Sequence, residues 1–215
     1  MCLWKMLEQY RPIKPLPSLI ESRRLILRAF ERRDAEEFYR LETESLKVHL
    51  AEYSPRCPEA TTDLEGIRTM RELLRQASER WEDGLDHRFA IILKETGAIV
   101  GQIGITNIIR NVAQSAFIGY WIGHEYLNRG YATEALVSAL HFAFELAKLH
   151  RVSLWIAPEN APSSKMAKRL KLRFEGTAER ALFLGDKWRT TEIYAITAEE
   201  WNERRNELYG LLSNA

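Results

Sequence analysis

A strand, a short loop and a helix follow one another without interruption in the middle of the chain. The run Ala116–Ile122 is rich in aromatic and branched residues, which is typical of a buried strand. After Gly130 the period changes, because small or apolar residues recur at intervals of three and four from Ala132 to Ala147. The spacing predicts an amphipathic helix that packs on a sheet, so the chain is restricted to layered folds of helices and strands.

Strand and helix patterns also cover the flanking parts of the chain. Strands are predicted near residues 24–28, 88–93, from 98 to a turn near Asn111, and near 116–122, 152–156, 174–184 and 188–196, and helices near 33–47, 62–81, 132–147, 163–171 and 198–212. Gly101 and Gly104 suggest a bulge, and Gly185–Asp186 suggests a tight turn. The predicted fold class is α/β (α+β), a mixed, mainly antiparallel sheet flanked by helices.

Length, charge and cysteine content limit the function classes. A chain of 215 residues suits one domain, and we expect an N-terminal arm over 1–20, where prolines forbid a regular helix, and a single domain over 21–215. The net charge of +1 predicts no direct nucleic-acid binding. The two cysteines, Cys2 and Cys57, and the scattered histidines have no metal-site spacing, and no apolar run spans a membrane. We therefore expect a cytoplasmic protein with no metal and no membrane association.

The loop between the central strand and helix has the chemistry of an anion site. The first turn of a helix carries unpaired N–H groups and the positive end of the helix dipole, and Gly130 and Ala132 let a phosphate approach closely. Arg129 adds a positive charge. The simpler interpretation is that Gly130 ends a loop and Thr133 caps the helix. Neither a P-loop nor a dinucleotide fingerprint is present.

The run from Gly119 to Ala135 resembles the acetyl-CoA pyrophosphate motif of the GNAT N-acetyltransferases, and Arg24–Arg28 resembles the first strand of their Rim-type branch, the ribosomal-protein-alanine N-acetyltransferases. Further segments follow in that branch's order, so the resemblance covers about residues 23–201. It implies a GNAT-like fold and acetyl-CoA as co-substrate. The family often has glycine where this chain has Asn128.

The resemblance also implies how the cofactor lies. The strand segment at Trp121 and Ile122 would run along the pantetheine, and a backbone amide near Ile122 would stabilise the oxyanion. The pyrophosphate would lie on backbone amides of the loop and helix start. The implied cofactor-binding residues are Trp121, Ile122, Asn128, Arg129, Gly130, Tyr131, Ala132, Thr133 and Asn160.

Acetyl transfer to an amine also needs a proton for the leaving thiolate and a neutral amine. The resemblance assigns the proton donor to Ser163, although Asn160 and Ser163 also suit a helix N-cap. Some relatives use a glutamate as base where this chain has apolar residues near Leu182. The remaining candidates for the base are His124 and Glu125 at the loop, with Glu192 on the last strand as a further one.

The missing base favours an acceptor that is easily deprotonated. An α-amine is about a tenth neutral at pH 7, whereas a lysine is neutral in only about one molecule in 2,500. The expected function is acetyl transfer to a protein N-terminus, of the ribosomal-protein-alanine type. The alternatives are a small-amine acetyltransferase, a non-catalytic acyl-CoA-binding protein and a phosphate-binding domain. The protein is expected to be a monomer or a homodimer.

Overall fold

A single eight-stranded sheet organises residues 14–53 and 62–213, the parts of the chain that the computed structural model describes. The strands are β1 (Leu19–Glu21), β2 (Leu25–Ala29), β3 (His87–Leu93), β4 (Ile99–Ile109), β5 (Ser115–Ile122), β6 (Arg151–Ile156), β7 (Arg173–Leu184) and β8 (Lys187–Thr197). The helices are α1 (Ala35–Ser45), α2 (Asp63–Glu82), α3 (Tyr131–His141), α4 (Ala161–Arg169) and α5 (Ala198–Ser213). Cys2 and Cys57 lie outside the described residues.

The sheet is mixed and mainly antiparallel, as the sequence predicts. Its strand order is β1-β2-β3-β4-β5-β6-β8-β7, and β5 with β6 is its parallel pair. The last two strands form a hairpin in which Gly185 and Asp186 both have positive φ. This is the backbone that a two-residue hairpin turn requires, so the predicted turn is confirmed.

Several element boundaries differ from the prediction. The strand β1 was not expected, and it includes the last residues assigned to the N-terminal arm, where it pairs with β2. The predicted helix over 33–47 begins with a 3-10 turn at Arg32–Asp34 and continues past α1 as a π-helical turn, Leu46–Leu50. The β3–β4 register shifts beside Gly101, which confirms the bulge expected there.

Helices cover both faces of the sheet, and two hydrophobic clusters result. The larger cluster lies under α3, α4 and α5 and includes the fully buried Leu136 and Trp201. The smaller cluster lies under α1 and α2 and includes Phe38, Met70 and Leu74. Burial of apolar side chains on both faces provides the main stabilisation of this layered fold.

In the described part of the chain, no helix combines the length and apolar character that crossing a bilayer requires. The same residues contain no group of three or more His, Cys, Asp or Glu side chains placed to hold a metal ion.

His87, the first residue of β3, is a buried histidine that should make stability depend on pH. Its ring lies 4.6 Å from that of Trp81 and 5.3 Å from that of Phe142, measured between centroids. Neither ring nitrogen has a hydrogen-bond partner among the described residues. Burial lowers the pKa of His87 to about 4, with Arg110 acting in the same direction and Asp86 against it.

A histidine in the unfolded chain has a pKa of about 6.5. The stabilisation of the folded protein by neutral His87 is therefore fully present above that pH and is lost as the pH falls toward 4. The shift corresponds to about 3 kcal/mol. Between about pH 7 and about pH 4, the free energy of unfolding of the wild type should therefore fall by about 3 kcal/mol more than that of His87→Leu. Urea denaturation across this range measures the difference, and parallel curves for the two proteins would contradict it.

Candidate functional site

The site begins where β5 and β6 separate. These parallel strands pair only through Ser115–Phe117 and Arg151–Ser153, yet β5 continues to Ile122 and β6 to Ile156. Beyond the paired residues, β5 keeps its pairing with β4, and β6 keeps its pairing with β8. The sheet therefore opens between them, and among the described residues no strand pairs with β5 on this side beyond Phe117, so a ligand can approach its backbone there.

A cavity of about 960 Å³ passes through this opening. One end is lined by residues of the smaller cluster, including Phe38, Met70 and Leu74, and the other end by Asn128, Ala132 and Ser163. Because the two ends lie on opposite faces of the sheet, two molecules entering from opposite sides can meet between the strands. The volume of the cavity is near the upper end of the range for ordinary ligand pockets.

The loop from β5 to α3 presents backbone N–H groups at one end of this cavity. Asn128 and Gly130 both have a left-handed backbone, with φ of 61° and 77°. Asparagine tolerates this conformation better than most residues. This explains why Asn128 can occupy a position at which the family that this chain resembles often has glycine. Gly130 is the N-cap of α3, and the first helical bond runs from the Glu134 N–H to the Gly130 carbonyl. The preceding N–H groups of the first turn are left without helical partners.

The simpler interpretation of Thr133 as the helix cap is wrong, because it lies two residues inside α3. Its hydroxyl is buried and accepts a hydrogen bond from the Arg169 guanidinium. Arg129 is exposed. Of the predicted cofactor-binding residues, Trp121, Ile122, Asn128, Ala132 and Asn160 line the cavity.

A buried ion pair holds α3 against the sheet beside this loop. Glu134 is fully buried, and its carboxylate accepts hydrogen bonds of 2.7 Å from the Ser22 hydroxyl, the Arg24 backbone N–H and the Arg24 guanidinium. Arg24 also donates to the Arg129 carbonyl at 3.0 Å. Burial alone would raise the pKa of Glu134, but these hydrogen bonds lower it overall. The loop from β5 to α3 and the first turn of α3 are thus tied to the start of β2.

Ser163 lies in the first turn of α4 and lines the cavity. The Asn160 side chain caps the helix by accepting a hydrogen bond from the Ser163 backbone N–H at 3.3 Å, so the helix-cap interpretation is confirmed. That bond uses the backbone of Ser163 and leaves its hydroxyl available. The buried Tyr120 hydroxyl lies beside Ser163 and has no well-formed hydrogen bond to any residue that the structure describes. Burial raises the pKa of Tyr120 to about 12, with Ser163 acting against it, so the phenol is neutral near pH 7.

The inner face of α1 and the following π turn holds the end of β5. The Phe38 ring stacks on that of Trp121 at 5.3 Å between centroids. Two turns later, the fully buried Ser45 accepts a hydrogen bond from the His124 backbone N–H at 3.3 Å. His49 then lies 3.1 Å from the Ile122 carbonyl through Nε2. Contacts at these successive turns fix the strand segment that the sequence predicts for the acetyl group.

Glu42 lies on the same inner face and was not predicted from the sequence. Glu42 lines the cavity, and its carboxyl group has no hydrogen bond or ion pair to any of the described residues. Burial raises the pKa of Glu42. A carboxylate without a partner inside a largely apolar cavity is available to a positively charged ligand.

The predicted candidates for the base lie elsewhere. His124 and Glu125 form a 3-10 turn, Glu125 is exposed, and neither is among the residues that line the cavity. Glu192 accepts hydrogen bonds from the hydroxyls of Tyr194 and Ser164 and lines a smaller depression.

Known proteins are similar to this chain in sequence and in fold. The sequence model of the family described as acetyltransferase (GNAT) domain matches residues 24–173. The uncharacterized N-acetyltransferase YnaD of Bacillus subtilis is 28% identical over 183 residues, covering 85% of this chain and 99% of that protein. The ribosomal protein uS5-alanine N-acetyltransferase of Escherichia coli is 26% identical over 128 residues, covering 60% of this chain and 66% of that protein.

Among solved structures, Mycobacterium smegmatis RimJ in complex with CoA-disulfide matches with a TM-score of 0.84 and 27% identity. The match covers 94% of this chain and 97% of that one.

Proposed function

This chain belongs to the GNAT family of acetyltransferases, and on that premise we propose that it transfers the acetyl group of acetyl-CoA to the α-amine of a protein N-terminus. The observation that supports the proposal most is the cavity that passes through the sheet between β5 and β6. It joins a phosphate-binding loop on one face to a separate, mainly apolar chamber on the other. This arrangement lets two substrates enter from opposite faces of the sheet and meet, and holding two reactants together in this way accelerates a transfer reaction.

The residues at the loop end suit acetyl-CoA. The N–H groups of the first turn of α3 and the dipole of that helix fit a pyrophosphate, and the opening between the strands fits an extended pantetheine arm. When bound, acetyl-CoA supplies the acetyl group as a thioester. The residues proposed to hold it are Trp121, Ile122, Asn128, Arg129, Gly130, Tyr131, Ala132, Thr133 and Asn160.

The choice of a protein α-amine rests on two supports. Two relatives from Escherichia coli have names that state their substrate: the ribosomal protein uS5-alanine N-acetyltransferase and a ribosomal-protein-serine acetyltransferase. Independently, an α-amine with a pKa of about 8 is far easier to deprotonate than a lysine with a pKa of about 10.4. A site without a strong base therefore favours α-amines over lysines.

An acceptor panel tests the proposed function. Peptides that begin with a free alanine or serine are compared with the same peptides blocked at the α-amine but carrying an internal lysine, and with polyamines and aminoglycosides. We expect kcat/KM to be at least about tenfold higher for the free α-amine, because its neutral fraction is larger. Turnover of small amines alone would contradict a protein acceptor.

Ser163 is the proposed proton donor to the departing sulfur. We expect Ser163→Ala to lower kcat about 100-fold, the ordinary contribution of a positioned acid, and to leave the dissociation constant for CoA unchanged. The helix cap should persist, because it uses the Ser163 backbone N–H and the Asn160 side chain.

Ser164→Ala is the matched control, since the Ser164 hydroxyl contacts Glu192 rather than the cavity. Steady-state kinetics and calorimetric titration of CoA measure the two effects. Equal kcat values for the two variants would contradict the role of Ser163.

A further inference from the structure

We propose that Glu42 is the catalytic base, the group that receives the acceptor ammonium in the cavity and takes its proton. The role rests on the proposed acetyl transfer to an amine and identifies the residue that removes the proton. It does not depend on whether the amine belongs to a protein or to a small molecule.

The contacts of α1 place Glu42 next to the proposed reaction centre. On the inner face of this helix, the Phe38 ring stacks on Trp121 before Glu42, and the Ser45 hydroxyl bonds the His124 backbone after it. A Cβ on Gly123 would lie 2.5 Å from the neighbouring Leu41, so the helix and the end of β5 are in close contact here. Because residues three and four apart share a helix face, Glu42 is directed toward the same segment of β5.

The surroundings of Glu42 suit a cationic ligand. The wall of the cavity that Glu42 lines is mainly apolar and includes Phe38, Leu50 and Met70. None of the arginines and lysines in the described part of the chain pairs with Glu42. The cavity wall also holds Arg80 and Arg88, but both of these cations interact with Asp86. An ammonium that binds beside Glu42 therefore restores charge balance in a partly desolvated site.

The same burial makes the carboxylate a better proton acceptor. Desolvation raises the pKa of Glu42, which brings its basicity closer to that of an α-amine. The amine can then lose a proton inside the cavity rather than in bulk water.

The proton balance of the step is complete. One proton of the ammonium passes to the Glu42 carboxylate, and the neutral amine nitrogen forms a bond to the acetyl carbon as the carbon–sulfur bond breaks. Ser163 gives its hydroxyl proton to the departing sulfur. The nitrogen then loses a second proton, which restores the Ser163 hydroxyl. Glu42 returns its proton to solvent after the amide product leaves.

The test compares Glu42→Gln with Glu44→Gln, using the amine that the wild type acetylates fastest. Glu44 is on the same helix but is exposed and paired with Lys47 at 2.7 Å. At about pH 7 we expect Glu42→Gln to lower kcat about tenfold for an α-amine, of which about a tenth is neutral at this pH, and by more for an amine of higher pKa, while Glu44→Gln stays within about threefold of the wild type. The dissociation constant for CoA should be the same in all three proteins.

The pH profile separates a base from a merely structural residue. As the pH rises above the pKa of the amine, about 8 for an α-amine, the substrate loses its proton without help, so the deficit of Glu42→Gln should shrink. A kcat for Glu42→Gln within about threefold of the wild type, or a deficit that does not change with pH, would overturn the proposal. If the wild type acetylates only small amines, the proposal of a protein acceptor is overturned, but the comparison of the Glu42 and Glu44 variants still stands. If the wild type acetylates no amine, both proposals are overturned.

Discussion

Replacing Glu134 by alanine is expected to lower the free energy of unfolding by about 3–5 kcal/mol. The fully buried carboxylate accepts three hydrogen bonds of 2.7 Å, one from Ser22 and two from Arg24. Its removal leaves the Arg24 backbone N–H and guanidinium without these partners at a largely buried position. Breaking a buried pair by deleting one member is among the most destabilising single changes.

The same substitution should weaken acetyl-CoA binding, because Arg24 also donates to the Arg129 carbonyl in the cofactor loop. Urea denaturation measures the stability, and calorimetric titration of CoA measures the affinity. Glu207→Ala is a suitable control, since Glu207 forms an exposed ion pair with Lys171 and exposed pairs contribute little. A loss below about 1 kcal/mol in Glu134→Ala would contradict the structural role of the pair.

Gly101→Ala is expected to abolish most of the acetyl transfer, with a loss of about 100-fold or more in kcat/KM, because misplacement by about 1 Å is enough for such a loss. A Cβ at Gly101 would lie 2.2 Å from the Trp121 carbonyl oxygen and 3.0 Å from the Ile122 Cα. Both atoms belong to backbone, so β4 and β5 must move apart to admit the methyl group. The displaced segment is the one that borders the opening in the sheet.

Gly104→Ala, three residues along the same strand, is the control for Gly101→Ala. Its Cβ would lie 3.2 Å from a Thr106 methyl group and 3.4 Å from the flexible Arg88 side chain, and both of these can adjust. Stability should fall by about 1–3 kcal/mol in Gly101→Ala and by less in Gly104→Ala. Equal activity and equal stability of the two variants would show that the strands tolerate separation at this point.

Most of the sheet follows from local patterns in the sequence. The β7–β8 hairpin is predictable because Gly185–Asp186 supplies the positive φ angles of its turn, and α3 is predictable because its apolar residues recur at helical spacing. The three-residue β1 has no such signal. It follows a proline-rich segment, and its strand conformation depends on pairing with β2, which is a tertiary contact.

The two ends of the candidate site differ in how far the sequence predicts them. The cofactor end is one continuous segment, so the loop residues and the start of α3 can be read together. The acceptor end combines α1, α2 and β5, which are distant in sequence. Glu42 and His49 occur in a charged, helix-forming run, where they resemble solvated surface residues. The signal in the sequence is their spacing, because Phe38, Glu42, Ser45 and His49 share one helical face that begins with buried apolar residues.

We propose above all that acetyl-CoA and an amine meet and react in the cavity that passes through the sheet. Simultaneous measurement of free thiol and acetylated product tests it most directly, with acetyl-CoA and the acceptor panel supplied to the wild-type protein. We expect thiol and acetylated amine to appear in equal amounts over many turnovers. Saturable binding of acetyl-CoA with no thiol release above the rate in buffer would contradict it.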